Sequence, residues 1–543
     1  MSSVTNILFL LLAVVVSGAL ARLTRFPLPL VQIVLGAGIA VSAVPTVELE
    51  PDIFFLLFLP PLLFLDGWRI PKDDLLRDRT TVLELAIGLV VLTVVGVGWL
   101  IHWMIPSMPL AVAFALAAVV SPTDPIAVSA IAARAPIPKR MMHILEGESL
   151  LNDASGLVCM RFAVAAMLTG VFVVQEALFT FAWVALGGLA IGIAVTLVVA
   201  RGKEWVSRRL GEDTSAQILI SLLIPFGAYL AAEHFHCSGI LAAVAAGVTM
   251  GFTEQSGRAL AVTRVRRAAV WDMVQFAANG MIFVLLGEQM PGLWDKAGQT
   301  VRATGHAEPW WLAVYVLAIS LALGAMRFAW VWTSLRWTLF KAVRRGEPGP
   351  KVSWRLVAAM SLAGVRGAIT LAGVLTLPLT LTDGTPFPAR DLAIFLAAGV
   401  ILVSLIVASV GLPRVLRGLE LPPEPSRQQE IDQARVAAAH VAIRAIETEQ
   451  HAMGEGQADA DVYTEASSRV MELYRQRIDS RAQSLEASEA HSKVDQIERR
   501  LRLAGLRAER EEIFRRARGR ELDDVLARKL VREIDLLEAR YTG

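Results

Sequence analysis

The sequence predicts an all-α polytopic membrane protein: about thirteen transmembrane helices, with inverted repeats and two broken, crossing helices, followed by a helical cytosolic tail. Three observations predict it. Hydrophobic residues make up 55% of the 543-residue chain and its mean hydropathy is +0.53, more apolar surface than a water-soluble fold of this size can cover. Apolar runs long enough to cross a hydrocarbon core of ~30 Å recur from the amino terminus to about residue 413. The basic residues between those runs also sort onto alternate loops. The two cysteines, Cys159 and Cys237, lie in apolar segments and imply no disulfide framework.

The candidate spans are 4–21, 26–45, 51–66, 81–105, 109–133, 141–170, 176–200, 214–233, 237–254, 268–290, 310–335, 354–379 and 391–413. Loops after the odd-numbered spans, up to the eleventh, carry 23 basic residues, whereas the alternate loops carry only Lys296, Arg302 and Arg390. By the positive-inside rule the basic loops are cytoplasmic, the amino terminus is outside and the carboxyl tail inside. A signal peptide is the rival reading of residues 1–21, but its basic residues should precede the apolar run, and Arg22 and Arg25 follow it. All eight lysines lie outside the spans.

Taken in order, the third span ends in FLPPLLFLDGWRIP, with Asp66 where the helix meets a basic loop. It is either an end-of-helix acid near Arg69 or an acid lining a cytoplasmic funnel. The fifth span contains SPTDP. Pro122 and Pro125 each remove a backbone donor and disfavour helical geometry in the preceding residue. Ser121, Thr123 and Asp124 are therefore expected on extended backbone at mid-membrane, which is tolerated only where it is buried in protein or lines a cavity.

The sixth span carries EGESLLNDASG, Glu146 to Gly156. At 1.5 Å per residue Asp153 lies roughly 18 Å along a helix that starts at Met141, near the centre of the bilayer. Carboxylates at that depth face protein or water and mark ion paths. Ser149, Asn152, Asp153 and Gly156 share one stripe of the helix, and Glu148 lies about 140° round from Asp153. This stripe is a candidate cation or proton site; burial of the acids for helix packing alone is the bland alternative.

Glu233, His234 and His236 fall at the outer boundary of spans eight and nine, with a spacing that fits no zinc pattern. Asp272 is expected in the first turn of span ten, where an acid suits a helix amino end. Span eleven holds Arg327 among apolar residues. A buried guanidinium keeps its charge and needs an acid, and Glu148, turned away from the Asp153 stripe, is the natural partner. Span twelve reads AAMSLAGVRGAITLAGVLTLP. Its Gly364, Gly367 and Gly373 permit close approach or local unwinding, and Arg366 is a second buried cation.

The membrane part, 1–418, ends at Pro422, Pro423 and Pro425. Residues 419–543 are rich in Glu, Arg, Ala and Gln and form a helical appendage, regulatory or dimer-forming. Leu522, Leu526, Leu530, Ile534 and Leu537 repeat with the spacing of an amphipathic stripe, and MGEGQADA reads as a break.

SPTDPIAV, EGESLLNDASG, HCSGILA and GVRGAITLA, in that order, resemble the monovalent cation–proton antiporter family that includes the sodium/proton exchangers; LPPLLFLDGWR resembles a bacterial branch of it. The likeness covers roughly residues 5–417. It implies a core and a dimerisation subdomain, a homodimer in the bacterial inner membrane, and exchange of Na+, K+ or Li+ for H+ with no cofactor and no nucleic-acid partner. Carried over residue by residue, Asp153 is the cation- and proton-binding carboxylate, the site of the transported Na+, and Asn152 is its neighbour. Ser149 and the Thr123 carbonyl are further ligands, with Asp124 and Asp66 at the same cavity. Glu148 and Arg327 form a structural pair, and Pro122, Pro125, Arg366 and Gly367 support the broken helices. The family often has an acid where this chain has Leu65; here it comes one residue later, as Asp66.

A carboxylate half-removed from water holds a proton or a cation but not both. Asn rather than a second acid beside Asp153 implies one titratable site and electroneutral one-for-one exchange. A cation channel also needs mid-membrane acids, but not one proton-competent carboxylate between two broken helices. An intramembrane hydrolase needs a nucleophile–base pair, and Ser149 has no histidine on its face.

Overall fold

The computed structural model describes residues 2–24, 26–41, 51–70, 82–125, 128, 137, 139–169, 174–254, 260–303, 310–344, 354–381, 383–417, 427–454, 460–484, 488–519 and 521–542. The chain divides into two compact units, Met1–Glu420 and Leu421–Gly543.

In the first unit the helices are α1 (Ser2–Thr24), α2 (Leu28–Val41), α3 (Pro51–Arg69), α4 (Val90–Met104), α5 (Leu110–Val120), α6 (Lys139–Thr169) and α7 (Val174–Leu210). They are followed by α8 (Thr214–His234), α9 (Gly239–Glu254), α10 (Ala261–Ala303), α11 (Trp311–Arg344), α12 (Trp354–Leu362), α13 (Ala368–Leu375) and α14 (Arg390–Leu416). A π-helical turn, Glu84–Leu89, leads into α4. Among the described residues the β-structure is limited to an isolated bridge between Thr380 and Pro386. Eight of the described helices are long and apolar enough to cross a membrane.

Burial in this unit is inverted relative to a protein that folds in water. Leu12, Val34, Leu186 and Leu321 are more than half exposed, while Glu148, Ser149, Asn152, Asp153, Arg327 and Arg366 are buried. Lipid supplies no hydrophobic drive for helix association, so close backbone packing has to provide it. At the crossing of α2 and α10 a Cβ on Gly36 would fall 1.9 Å from the Val284 carbonyl oxygen, and one on Gly287 2.0 Å from that of Ile33. Only glycine allows backbones this close.

Every predicted span overlaps a described helix, and the differences lie at the ends. Of the fifth span, residues 126–127 and 129–133 lie outside the described residues, as do Arg25, Lys72, Arg77, Arg79, Arg134, Arg258, Arg345 and Lys351 of the basic loops and residues 455–459 of the predicted break. The tenth span begins earlier than predicted, at Ala261, which corrects the place of Asp272. It sits three turns into α10, exposed, where Arg69 of α3 meets it in an ion pair and also donates to Gln275 Oε1 at 2.8 Å. The basic residues from Arg264 to Arg267, between the ninth and tenth predicted spans, are helical rather than a loop.

The second unit holds α15 (Arg427–Gly454), α16 (Ala460–Ser484), α17 (Ser488–Arg518) and α18 (Asp524–Thr542). Ser467 of α16 donates to Gln450 Oε1 of α15 at 2.9 Å, and Arg510 of α17 reaches Asp535 (3.0 Å) and Glu538 of α18. Only part of the apolar stripe on α18 is covered: Ile534 is buried, while Leu526 and Leu537 are about half exposed.

Candidate ion-binding site

Two helical segments are interrupted, and the interruptions touch. α5 ends at Val120 and the chain is non-helical from Pro122 to Asp124; α12 and α13 are separated by residues 363–367. Ser121 departs from expectation: it keeps helical dihedrals, φ −70° and ψ −45°. Proline disfavours that geometry in the preceding residue without forbidding it, so the break begins at Pro122 itself.

Unwinding two helices in a bilayer frees backbone groups that must be paired internally. The breaks pair each other. The Asp124 amide donates to the Val365 carbonyl at 2.7 Å, and Arg366 Nε donates to the Val120 carbonyl at 2.9 Å. Arg366 Nη1 donates to the Gly364 carbonyl, and the Arg366 amide is bonded to Ser404 Oγ at 3.1 Å. A guanidinium thus sits on the carbonyl end of α5, and the Asp124 carboxylate packs on Gly367 at the amide end of α13. Both charges complement the dipole of the helix they face. A Cβ on Gly367 would fall 1.8 Å from Asp124 Oδ2, so only glycine fits beside that carboxylate.

α6 runs beside the breaks. Gly156 lets it approach, since a Cβ there would lie 2.5 Å from Pro122 Cγ and 2.7 Å from the Ala118 carbonyl. One turn earlier Asp153 is 3% exposed and accepts a long 3.4 Å hydrogen bond from Ser149 Oγ. Asp153, Ser149, Thr123, Asp124, Pro125, Gly367 and Asp66 line one tight cleft with a free volume of about 10 Å3, room for about one water. An ion entering it would exchange most of its hydration shell for protein oxygens. Asp66, partly exposed at the end of α3, is on that lining.

Asn152 is placed differently from the predicted stripe. It is absent from the cleft lining, and its Nδ2 donates to Thr123 Oγ1 at 3.1 Å and to Glu148 Oε1 at 3.5 Å. The reason is angular. Residue 152 is 100° from 153 but only 40° from 148 on a helix of 3.6 residues per turn, so the side chain joins the Glu148 face.

That face holds Arg327. Its Nη2 donates to Glu148 Oε2 at 2.8 Å, Nη1 donates to Oε1, and Nε donates to the Met360 carbonyl at 3.1 Å. Thr123 Oγ1 also reaches Glu148 Oε1, at 3.5 Å. The fork ties α6, α11, α12 and the first break into one cluster, and both charges are buried. Pro122 packs against α6 and does not reach the cleft lining.

Three features were missed in the sequence. Thr370, on the first turn of α13, and Asn279 of α10 line the cleft; Thr370 is the lone polar residue of an apolar helix, which is the signal that could have found it. Ser155 Oγ lies 2.8 Å from the Ala86 carbonyl in the π-turn, a contact no local pattern announces. At the other end of α6, Glu233 accepts from Arg161 Nη1 (3.0 Å) and the Gly239 amide (3.2 Å).

A sequence profile described as "Sodium/hydrogen exchanger, transmembrane" matches residues 8–418, more than half of the chain. The chain belongs to that family. Among relatives of this exchanger-family chain, an uncharacterized Na+/H+ exchanger, YjcE, of Escherichia coli K12 is 44% identical over 98% of both chains. A protein of Bacillus pumilus named as a sodium, potassium, lithium and rubidium/H+ antiporter is 39% identical, over 99% of this chain and 78% of that one. The solved structure of the sodium proton antiporter MjNhaP1 from Methanocaldococcus jannaschii shares the fold, with a TM-score of 0.59 at 18% identity, covering 77% of this chain and 99% of the other.

Proposed function

We propose that this family member is a secondary active antiporter that exchanges a monovalent cation, Na+ and also K+ or Li+, for H+, with Asp153 as the shared site. The observation that carries the reading is Asp153 itself: a buried carboxylate, weakly hydrogen-bonded, on a tight cleft lined by residues from both helix breaks. Such a group takes one positive charge at a time. Ser149 Oγ and Asp124 flank it, and the non-helical backbone of the first break at Thr123 offers further oxygen, as transporters of this kind require. Asn152 holds Thr123 and Glu148 in place, and the Glu148–Arg327 pair is structural. Pro122, Pro125, Arg366 and Gly367 maintain the two breaks. Asp66 belongs to the approach.

If only the occupied forms cross between inward- and outward-facing states, cation and proton exchange one for one and the cycle is electroneutral. Around this site we place thirteen spans with inverted repeats relating the fifth and twelfth, core and dimerisation subdomains within 1–418, and a homodimer in the bacterial inner membrane. The amino terminus is then outside, and the tail, 419–543, is cytoplasmic. The potassium, lithium and rubidium in the Bacillus relative's name favour a broad cation range. Proton flux from everted vesicles on adding each alkali cation in turn tests the reading. Dissipation of the pH gradient by at least one of them is expected; none doing so would sink it.

A further inference from the structure

We propose that a cavity between the ends of α7, α9 and α10 is a binding site for the phosphodiester headgroup of an anionic membrane lipid, with an acyl chain lying along α7 and α8. The cavity, of about 670 Å3, is lined by Arg201, Lys203, Arg208, Gln217 and Arg267, among others. Arg267 is the anchor. It is 1% exposed, and its Nη2 forms an ion pair with Glu254, which also accepts from Trp68 Nε1 at 2.7 Å. The guanidinium lies 5.6 Å from the centre of the Trp68 ring. Its Nε and Nη1 are buried and meet no hydrogen-bond acceptor among the described residues. A buried charged donor without an acceptor is costly, and the planar guanidinium fork matches phosphate oxygens.

The acids around the cavity are already engaged. Glu204 pairs with Arg208 at 2.5 Å, and Glu212 accepts from Thr263 Oγ1 at 2.6 Å and from the Leu260 amide at 3.3 Å. Glu254 is held by Arg267 Nη2 and Trp68, which leaves Lys203, Arg201 and the Nε and Nη1 of Arg267 to face an anion.

A second, apolar groove of about 460 Å3 adjoins this one. Val195, Val199, Ile220, Leu223 and Ile224 line it, and Lys203, Ser207 and Gln217 are common to both. A soluble phosphate would occupy only the basic cavity; a molecule with an anion at one end and hydrocarbon at the other occupies both. The level also fits a headgroup. Arg209 lies 4.6 Å over the Trp205 ring near the end of α7, the aromatic and basic pairing of a membrane interface.

The test uses the full chain, stripped of lipid in detergent, with native mass spectrometry and thermal unfolding as readouts. Phosphatidylglycerol should be retained at one molecule per chain and raise the unfolding temperature saturably; phosphatidylcholine with the same chains and inorganic phosphate should do neither. Lys203→Gln and Arg267→Gln should each lose both effects, and Lys203→Gln decides alone if the buried change prevents folding. Equal stabilisation by inorganic phosphate, or by phosphatidylcholine, would overturn the assignment. So would retention of phosphatidylglycerol by Lys203→Gln at the wild-type level.

Discussion

Asp153 and Glu148 are five residues apart on one helix, both acids and both buried, yet their surroundings differ at every point. Glu148 has both carboxylate oxygens on the Arg327 fork and further contacts to Thr123 and Asn152. Asp153 has one long hydrogen bond from Ser149 and faces the cleft. Burial of an acid is therefore not the mark of an ion site. What differs is whether the protein already supplies the positive charge. Glu148 has its cation fixed in place, whereas Asp153, on the function we propose, takes one from solution. The 140° between them on the helix is what places Arg327 on Glu148 and away from Asp153.

The largest expected effect is at Asp153. Asp153→Asn should abolish cation-driven proton flux in proteoliposomes while leaving expression and folding intact, because the amide cannot exchange a proton for a cation. Flux at the wild-type level in that variant would erase the distinction between the two acids. Glu148→Ala should behave in the opposite way, through stability. It leaves Arg327 buried and unpaired, a loss of ~3–5 kcal/mol, to be read as a lower unfolding temperature in detergent. Replacing Glu148 and Arg327 together by apolar residues should recover much of it, and a double variant no better than the singles would show that they are not energetic partners.

Gly367→Ala comes next. The added methyl collides with Asp124, and overpacking of this kind costs ~1–3 kcal/mol, so exchange should fall with a modest loss of stability. Unchanged flux and unfolding temperature would mean that the Asp124 position does not matter. The smallest effect is at Asp66. It lines the cleft but is partly exposed, and removing one partly solvated charge is worth ~1 kcal/mol, about fivefold in apparent cation affinity. Loss of all transport in Asp66→Asn would move it from the approach to the site itself.

Much of this contrast could be read from the chain, because helical periodicity gives the angle between residues of one helix without any knowledge of its neighbours. The opposition of Glu148 and Asp153 is that angle, and the breaks follow from Pro122, Pro125, Gly364 and Gly367. Periodicity fails where an angle falls between two faces. The spacing puts Asn152 on the Asp153 stripe, yet the structure turns it to Thr123 and Glu148. It also fails at helix ends, where Arg264 to Arg267 look like a loop and belong to α10, which moved Asp272 from a first turn to mid-helix. The Arg366 contact with Val120, and the π-turn beneath Ser155, join segments far apart in sequence and leave no local trace.

The central claim is that one carboxylate, Asp153, carries cation and proton in turn. Proton release on cation binding tests it most directly. Purified full-length protein in weakly buffered detergent should release about one proton for each Na+ bound at a pH where transport is active, and Asp153→Asn should release none. Sodium binding without proton release in the wild type, or undiminished release from Asp153→Asn, would contradict the account.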